Sequence, residues 1–315
     1  MTRRHVAIAA LAAAALVLLW GFAIEPASLR FREVSVEVPQ WPAGAPLRVA
    51  LLADLHVGSP WNGTARLATI VERTNAAHPD LILMLGDYVS RGVPGGQFVA
   101  PEEIEAVVRD LRAPLGVYAV LGNHDLAWNG RRITRALERA GIVVLDDQAV
   151  RVDPADGRHP AFWLAGVSDW VRGNHDLAGT LAQVTDDAPV ILLTHNPDLF
   201  PEVPARVALT LAAHTHGGQV RLPLFGPPVV PSEYGRRYAA GLVIESDRRL
   251  FVATGVGTSI IPVRILVPPE VPILTIASGT AAGAGAGAVG SHGGAQLGVK
   301  LHETSPGKRL SHPVE

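Results

Sequence analysis

The chain has 315 residues, 48% of them hydrophobic, which suffices for one large α/β domain or two small ones. Its formal net charge of -2 argues against dedicated nucleic-acid binding, because such proteins usually carry a basic excess. The sequence has no cysteine, which excludes both a disulfide framework and a thiolate metal site.

The N-terminal segment, residues 1–25, is predicted to be a transmembrane anchor. Arg3 and Arg4 precede an uncharged apolar run over residues 6–24. At about 1.5 Å per residue, a helix of this length spans most of a hydrocarbon core about 30 Å thick. Arginines before the run favour a cytoplasmic N-terminus, which places the rest of the chain on the outer side of the cell membrane. The alternative is a cleaved signal segment ending near residues 26–28, which would make the protein secreted.

Residues 26–46 are predicted to be a linker that contains the first strand. Apolar and charged residues alternate over residues 29–38, a pattern typical of a strand. Residues 39–46 are rich in turn-forming residues and are expected to connect this strand to the next one.

Helical spacing of apolar residues predicts helices over residues 64–77, 101–111 and 131–140. Thr64 is the expected N-cap of the first of these helices, and Gly141 is expected to end the third. Strands that alternate with such helices indicate βαβ units and therefore an α/β fold.

Five apolar runs, each typical of a buried strand, end in residue types that bind metals. The runs are residues 47–53, 81–85, 117–121, 190–193 and 207–213. The polar residues after them are Asp54 and His56; Asp87; Asn123, His124 and Asp125; His195; and His214 and His216. Open α/β sheets place their active sites at the carboxyl ends of strands, so we expect these side chains to meet. Ligands of these types, without sulfur, suit Mn, Fe or Zn.

The last of these pairs has the spacing of a strand face. In an extended chain, side chains at i and i+2 point to the same side, so His214 and His216 are expected to aim at one point. Gly217 and Gly218 follow at once and permit a tight turn beside that point.

The string Gly-Asn-His-Asp occurs twice, at residues 122–125 and again at residues 173–176. The first copy directly follows an apolar run, whereas the second follows the polar stretch 168–172. We therefore expect Asn123 rather than Asn174 to belong to the site.

The motifs Asp-X-His, Gly-Asp, Gly-Asn-His-Asp, a later His and His-X-His, in this order, resemble the calcineurin-like metallophosphoesterase family. Residues 217–223, 234–238, 255–259, 262–264 and 268–270 extend the resemblance to its membrane-associated bacterial branch of YaeI/YkuE-like phosphodiesterases. The resemblance covers about residues 47–276. It implies a metallophosphoesterase domain over residues 47–277, folded as a four-layer α-β-β-α sandwich of two mixed sheets.

The resemblance also implies a dinuclear centre of two divalent ions. Asp87 would bridge the ions; Asp54, His56 and His216 would complete one site, and Asn123, His195 and His214 the other. Such a centre activates a bridging hydroxide for attack on a phosphoryl group. His124 would reach the oxygen of the leaving group, and Asp125 would orient His124 as a carboxylate orients an imidazole elsewhere.

These observations predict a membrane-anchored metal-dependent phosphohydrolase, acting as a phosphodiesterase or pyrophosphatase. The predicted substrate is a phosphoester presented at the membrane, with a lipid-linked phosphoester as one candidate. The alternatives are a phosphodiesterase for nucleotides or other soluble phosphoesters, and a non-catalytic anchored module that binds metal. Residues 278–315 are rich in glycine and alanine and are predicted to form a disordered tail.

Overall fold

Two six-stranded mixed sheets form the fold in the computed structural model, which describes residues 2–155 and 157–279. The first sheet consists, in spatial order, of β1 (Arg30–Val38), β12 (Glu270–Ser278), β2 (Leu47–Leu52), β3 (Leu81–Met84), β4 (Val117–Ala119) and β5 (Val143–Val144). The second consists of β10 (Gly241–Glu245), β11 (Arg248–Val252), β9 (Leu209–Ala212), β8 (Val190–Leu193), β7 (Phe162–Gly166) and β6 (Gln148–Val152). Strands β2 to β5 are parallel, as are β7, β8, β9 and β11, so each group ends at one edge of its sheet.

The main hydrophobic core lies between the two sheets. In β2, Val49 and Leu51 belong to this core, whereas Ala50 and Leu52 belong to the core beneath the helices on the outer face. Because both faces of such a strand are covered, its sequence is a continuous apolar run rather than an alternating one.

A long apolar helix precedes the sheets. It consists of α1 (Arg3–Leu19), a π-helical segment (Trp20–Ile24) and α2 (Glu25–Ala27). By length and composition, Arg3–Ala27 is a candidate membrane span, and only 6% of its most apolar stretch is buried. The strand predicted within residues 26–46 is β1, which pairs in parallel with β12 along its whole length at the edge of the first sheet.

Helices cover the outer faces of both sheets. Helices α3 (Thr64–Ala76), α4 (Pro101–Val108) and α5 (Asn123–Arg139) pack on the first sheet. The short helix α6 (Leu177–Ala182) and the 3₁₀ segment Pro197–Glu202 pack on the second. The structure therefore confirms the predicted α/β class and the sandwich of two mixed sheets.

Two details of the predicted helices were wrong. Gly63, not Thr64, occupies the N-cap of α3, and Thr64 is the first helical residue. Helix α5 begins at Asn123 instead of residue 131 and is interrupted at Asn129, where φ is -165° and ψ is 76°. Its first turn faces the polar strand ends rather than the core, so apolar periodicity does not reveal it. The predicted tail lies, from residue 280 onward, outside the described residues.

Candidate metal centre

The ends of β2, β3, β4, β8 and β9 meet at one edge of the sandwich. Every residue that we predicted as a metal ligand lies there, directly after one of these strands. The predicted ligands form two groups, one of Asp54, His56 and His216 and one of Asp87, His195 and His214, and a further cluster of His56, Asp87 and His124 overlaps both.

The first group consists of Asp54, His56 and His216, whose ligand atoms all lie within 4.8 Å of one another. The Nε2 atoms of His56 and His216 are 3.2 Å apart, and Nε2 of His216 is 3.7 Å from Oδ1 of Asp54. All three residues are buried, so an ion bound here would be shielded from bulk water.

The second group consists of Asp87, His195 and His214, again with ligand atoms within 4.8 Å of one another. The Oδ1 atom of Asn123 lies 2.9 Å from Nδ1 of His214 and 3.2 Å from Nε2 of His195. Asn123 therefore joins this group, whereas Asn174 lies on an exposed loop before α6.

Asp87 lies between the two groups. Its Oδ2 atom is 3.5 Å from Nε2 of His56 and 3.3 Å from Nε2 of His195. Its Oδ1 atom accepts a hydrogen bond of 2.9 Å from the backbone N–H of His124 in the first turn of α5. Gly122 permits this approach, since a Cβ atom there would lie 2.2 Å from Oδ1 of Asp87. One carboxylate thus faces both groups.

The donor atoms at this edge fit divalent metal ions. Among the described residues, Oδ2 of Asp54 is buried without a hydrogen-bond partner, although buried polar atoms normally have one. The nitrogen atoms of two imidazole pairs also face each other at 3.2 Å, one pair in each group. A cation would satisfy the unpartnered oxygen and these facing nitrogens together, and the carboxylate, amide and imidazole donors suit Mn, Fe or Zn.

Burial keeps three of the histidines neutral. It lowers the pKa of His56 to about 4 and that of His214 to about 3, and it holds the pKa of His216 well below its ordinary value. For His195 burial opposes protonation, but the carboxylates of Asp87 and Asp54 raise its pKa well above the ordinary value. Neutral imidazole is the form that binds metals, so His56, His214 and His216 need not lose a proton first.

We had expected an extended backbone at His214 and His216, and the structure contradicts this prediction. Both residues have left-handed backbones, with φ of 69° and 50°, and they belong to different groups instead of aiming at one point. Asp54, His56 and Asp87 are left-handed too, with φ of 45°, 36° and 56°. Asp and His tolerate this region better than most residues, but the conformation still costs free energy.

Asp125 does not orient the ring of His124, so that prediction was wrong. Its buried carboxylate accepts hydrogen bonds from the backbone N–H groups of Asp87, Tyr88 and Gly122, at 2.7, 2.9 and 3.0 Å. It therefore holds the loop after β3 against the start of α5. The Nε2 atom of His124 instead lies 3.3 Å from the hydroxyl oxygen of Ser259.

Two further residues of the site had no predicted role, although Arg264 belongs to the segment 262–264 that extends the resemblance. Arg264 is fully buried, and it donates hydrogen bonds to the carbonyls of Thr254, Gly255, Gly257 and Val267. Its Nη2 atom lies 3.5 Å from Nδ1 of His216, and burial lowers its pKa to about 10. Asp169 is also buried, and its charge favours the protonated form of His195. The position of Arg264 among the apolar residues 260–267 is the signal that could have revealed it.

A groove of about 570 Å³ opens onto the two groups. Its lining includes the polar residues Asp87, Asn123, His124, His214 and His216. Its walls are mostly apolar and include Val220, Pro228, Val229, Pro231, Ile260, Ile261 and Val263. The groove can therefore hold a phosphoryl group at the base with an apolar substituent along the wall.

The chain belongs to the calcineurin-like phosphoesterase family, which matches residues 47–218. The matched residues include all five strand ends described above. Members of this family use divalent metals to hydrolyse phosphoesters, so the protein is a hydrolase of phosphoester bonds.

Curated relatives include bacterial proteins of the branch predicted from the motifs. Metallophosphoesterase YkuE of Bacillus subtilis (strain 168) is 30% identical over 85% of this chain and 94% of its own. Phosphodiesterase YaeI of Escherichia coli (strain K12) is 33% identical over 74% of this chain and 83% of its own. A "transmembrane protein with metallophosphoesterase domain" of Danio rerio is 28% identical over 71% of this chain and 52% of its own.

Proposed function

We propose that the protein is a membrane-anchored phosphodiesterase or pyrophosphatase with a dinuclear metal centre, and that it cleaves a lipid-linked phosphoester. The observation that carries this proposal is the position of Asp87. Its Oδ2 atom lies within 3.5 Å of a histidine from each group, as a carboxylate shared by two ions requires.

The ligands divide between two ions. Asp54, His56 and His216 would hold one ion, and Asn123, His195 and His214 the other, with Asp87 shared. When bound, such a pair of ions supplies a hydroxide for attack and neutralises charge on the phosphoryl oxygens. Arg264 positions His216 by contacting its Nδ1 atom, the ring nitrogen that does not face His56. The guanidinium of Arg264 is itself fixed by hydrogen bonds to several backbone carbonyls.

His124 is placed to act as the general acid. Its side chain is 33% exposed and lines the groove, whereas the ligand histidines are largely buried. A proton on Nε2 can pass to the departing alkoxide when substrate is bound. Without substrate, the same nitrogen lies 3.3 Å from the hydroxyl of Ser259, which can accept a hydrogen bond from it and so keep the ring at the groove. The ligand atom of His124 also lies within 4.8 Å of those of His56 and Asp87, so retention of both metals in His124→Ala is the result that distinguishes an acid from a ligand.

The walls of the groove favour a lipid substrate over a nucleotide. Valine, isoleucine and proline side chains form most of the walls. Among the described residues that line the groove there is no Phe, Tyr or Trp on which a base could stack. A soluble phosphoester would leave these apolar walls in contact with water.

The contacts of the N-terminal helix support an anchor that stays attached. The Glu25 carboxylate accepts hydrogen bonds of 2.9 and 2.6 Å from the backbone N–H groups of Leu266 and Val267. These two residues closely follow Arg264 in the chain. Cleavage after Ala27 would remove this carboxylate and leave both amides without it. Arg3 and Arg4 favour a cytoplasmic start, with the catalytic domain outside the cell.

Metal reconstitution of the full chain tests the proposal. The protein is freed of metal with a chelator, reloaded with Mn, Fe or Zn, and assayed for bound metal and for hydrolysis of bis-p-nitrophenyl phosphate, nucleotides and phospholipids. We expect two ions per chain, activity only after loading, and faster hydrolysis of a lipid phosphoester than of any nucleotide. Full activity with a single ion would contradict the dinuclear centre, and a preference for nucleotides would contradict the lipid substrate.

A further inference from the structure

Exposed apolar side chains lie on the two loops that supply the apolar lining of the groove. Leu224 is fully exposed, Phe225 is 70%, Val229 72%, Ile260 77% and Ile261 50% exposed. We call these five residues the apolar rim. Large exposed apolar patches on proteins mark sites of contact with another protein or with a membrane.

The apolar rim has a defined structure, because the two loops that carry it are hydrogen-bonded to each other. One loop follows Gln219 and the other contains residues 259–265. The backbone N–H of Arg221 donates to the carbonyl of Ile265, and the N–H of Ile265 donates to the carbonyl of Gln219. The amide side chain of Gln219 also donates to the carbonyls of Ser259 and Ile261. The rim residues are thus held in fixed positions around the groove.

The end of the apolar N-terminal helix meets the same loop. The N–H of Arg264 donates to the carbonyl of Gly21 at 2.9 Å. Gly21 packs against Ile265, since a Cβ atom on this glycine would lie 2.9 Å from Cγ1 of Ile265. The helix therefore leaves the catalytic domain directly beside the apolar rim.

Two tryptophans lie at the point where the helix meets the domain. Trp20 is 46% exposed and Trp61 is 53% exposed, and the indole N–H of Trp61 donates to the carbonyl of Phe22. Tryptophan is enriched at the boundary between membrane and water, where its polar N–H and apolar ring are both accommodated. This boundary therefore falls near residues 20–22, at the level of the loop that carries Ile260 and Ile261.

The charge next to the rim complements a bilayer that contains anionic lipids. A neighbouring cavity of about 1000 Å³ is lined by five arginines (Arg30, Arg32, Arg73, Arg221 and Arg236) and two glutamates (Glu33 and Glu270). Basic side chains close to the bilayer are attracted by anionic headgroups, each by about 1 kcal/mol.

We propose that the apolar rim inserts into the lipid bilayer, so that the groove opens towards lipid and the metal centre receives its substrate from within the membrane. This inference rests on the proposed membrane anchor and adds a second, independent membrane contact to it. The rim would bury apolar side chains in the interfacial layer while the neighbouring arginines contact headgroups.

Fluorescence quenching in lipid nanodiscs tests the insertion directly. Because the natural chain has no cysteine, single cysteines at Leu224→Cys and Ile260→Cys can be labelled cleanly with a fluorophore in the full-length protein. The nanodiscs contain phosphatidylcholine and phosphatidylglycerol with brominated acyl chains. Leu16→Cys in α1 is the membrane control, and Val143→Cys, 45% exposed on the edge strand opposite β1, is the aqueous control.

We expect brominated lipid to quench the labels at Leu224 and Ile260 at least about half as strongly as the label at Leu16, and to leave the label at Val143 unquenched. Rim labels that behave like the one at Val143 while the Leu16 label is quenched would overturn the rim proposal and leave the anchor intact. Quenched rim labels with an unquenched Leu16 label would overturn the anchor and leave the rim proposal intact, and absence of quenching at all three positions would overturn both.

A kinetic measurement adds an independent test. The double variant Leu224→Asp with Phe225→Asp places charges on rim residues that do not line the groove. We expect its kcat/KM for a phosphoester in vesicles to fall by about tenfold or more, because charged side chains resist insertion. Its kcat/KM for bis-p-nitrophenyl phosphate in detergent should stay within about twofold of the parent. Equal losses on both substrates would contradict the proposal.

Discussion

The two copies of Gly-Asn-His-Asp have the same four side chains and different surroundings. In residues 122–125 the glycine caps α5, and the last three residues form its first turn between the ends of β3 and β4. In residues 173–176 the string is a loop, and Asp176 caps the six-residue helix α6. Asp125 is fully buried, whereas Asn174 and Asp176 are exposed.

The difference lies in what precedes each copy. A buried parallel strand ends directly before Gly122, so the string projects into the edge where other strand ends already carry Asp87 and the histidines. The second copy follows the end of β7 by several residues, and the buried Asp169 takes the place nearest the site. The same residue types therefore lie among the candidate metal ligands only in the copy that directly follows a strand end.

The largest expected effect is that of Asp87→Asn. This substitution removes the negative charge of the carboxylate that accepts a hydrogen bond from the backbone N–H of His124, in the first copy of the string. An amide places no negative charge between two cations, so we expect loss of at least one metal. The fall in turnover should exceed the roughly 10²–10⁴-fold cost of removing a positioned acid. Metal analysis and turnover are compared with Asp110→Asn on the surface. Two tightly bound ions with normal turnover in Asp87→Asn would refute the shared carboxylate.

Asn123→Ala compared with Asn174→Ala tests the two copies directly. Asn123→Ala removes the oxygen that lies within 3.2 Å of both His195 and His214, so the second ion should bind at least about tenfold more weakly. Asn174→Ala should leave metal content and turnover within a few-fold of the parent. The reverse result would show that the wrong copy has been assigned to the site.

His124→Ala and His175→Ala separate an acid from a packing residue. His124→Ala should retain both metals and lose roughly 10²–10⁴-fold in turnover of an alkyl ester. Its loss on a p-nitrophenyl ester should be much smaller, because that phenolate leaves without a proton. His175, whose ring packs against Trp170, should show no dependence on the leaving group. Equal losses on both esters would assign His124 to substrate binding or structure instead.

The smallest effects concern the two aspartates at the ends of the strings. The Asp125 carboxylate accepts hydrogen bonds from several backbone N–H groups, and in Asp125→Asn the side-chain NH₂ group would face some of these donors instead of an oxygen. We expect the free energy of unfolding to fall by about 1–3 kcal/mol. Asp176→Asn should be nearly neutral, because Asn caps helices as well as Asp does. Thermal unfolding of the metal-free forms measures both changes. An equal fall in Tm for the two variants would contradict the structural role of Asp125.

The sequence revealed the strands and the edge where they meet, because apolar runs that end in Asp, Asn or His are visible without the fold. Strand β8 has the predicted bounds, and β2, β3, β4 and β9 lie within the predicted runs. The family and its fold followed from the order of these motifs and are confirmed.

Other features of the site depend on tertiary contacts that have no local signature. The carboxylate of Asp125 bonds to amides 37 and 38 residues away, and Arg264 reaches His216 across 48 residues. The start of α5 at Asn123 was missed because its first turn contacts polar groups. The rim was missed because exposed apolar residues in a loop resemble core residues until their exposure is known.

The left-handed backbones at Asp54, His56, Asp87, His214 and His216 also affect the stability of the protein. Each such conformation costs about 1–3 kcal/mol outside glycine, and their sum is comparable with the total stability of a typical domain. Ions that bind only this folded arrangement shift the unfolding equilibrium towards the native state in proportion to their concentration. The metal supply of the cell compartment would then determine both the activity of the enzyme and how long it stays folded.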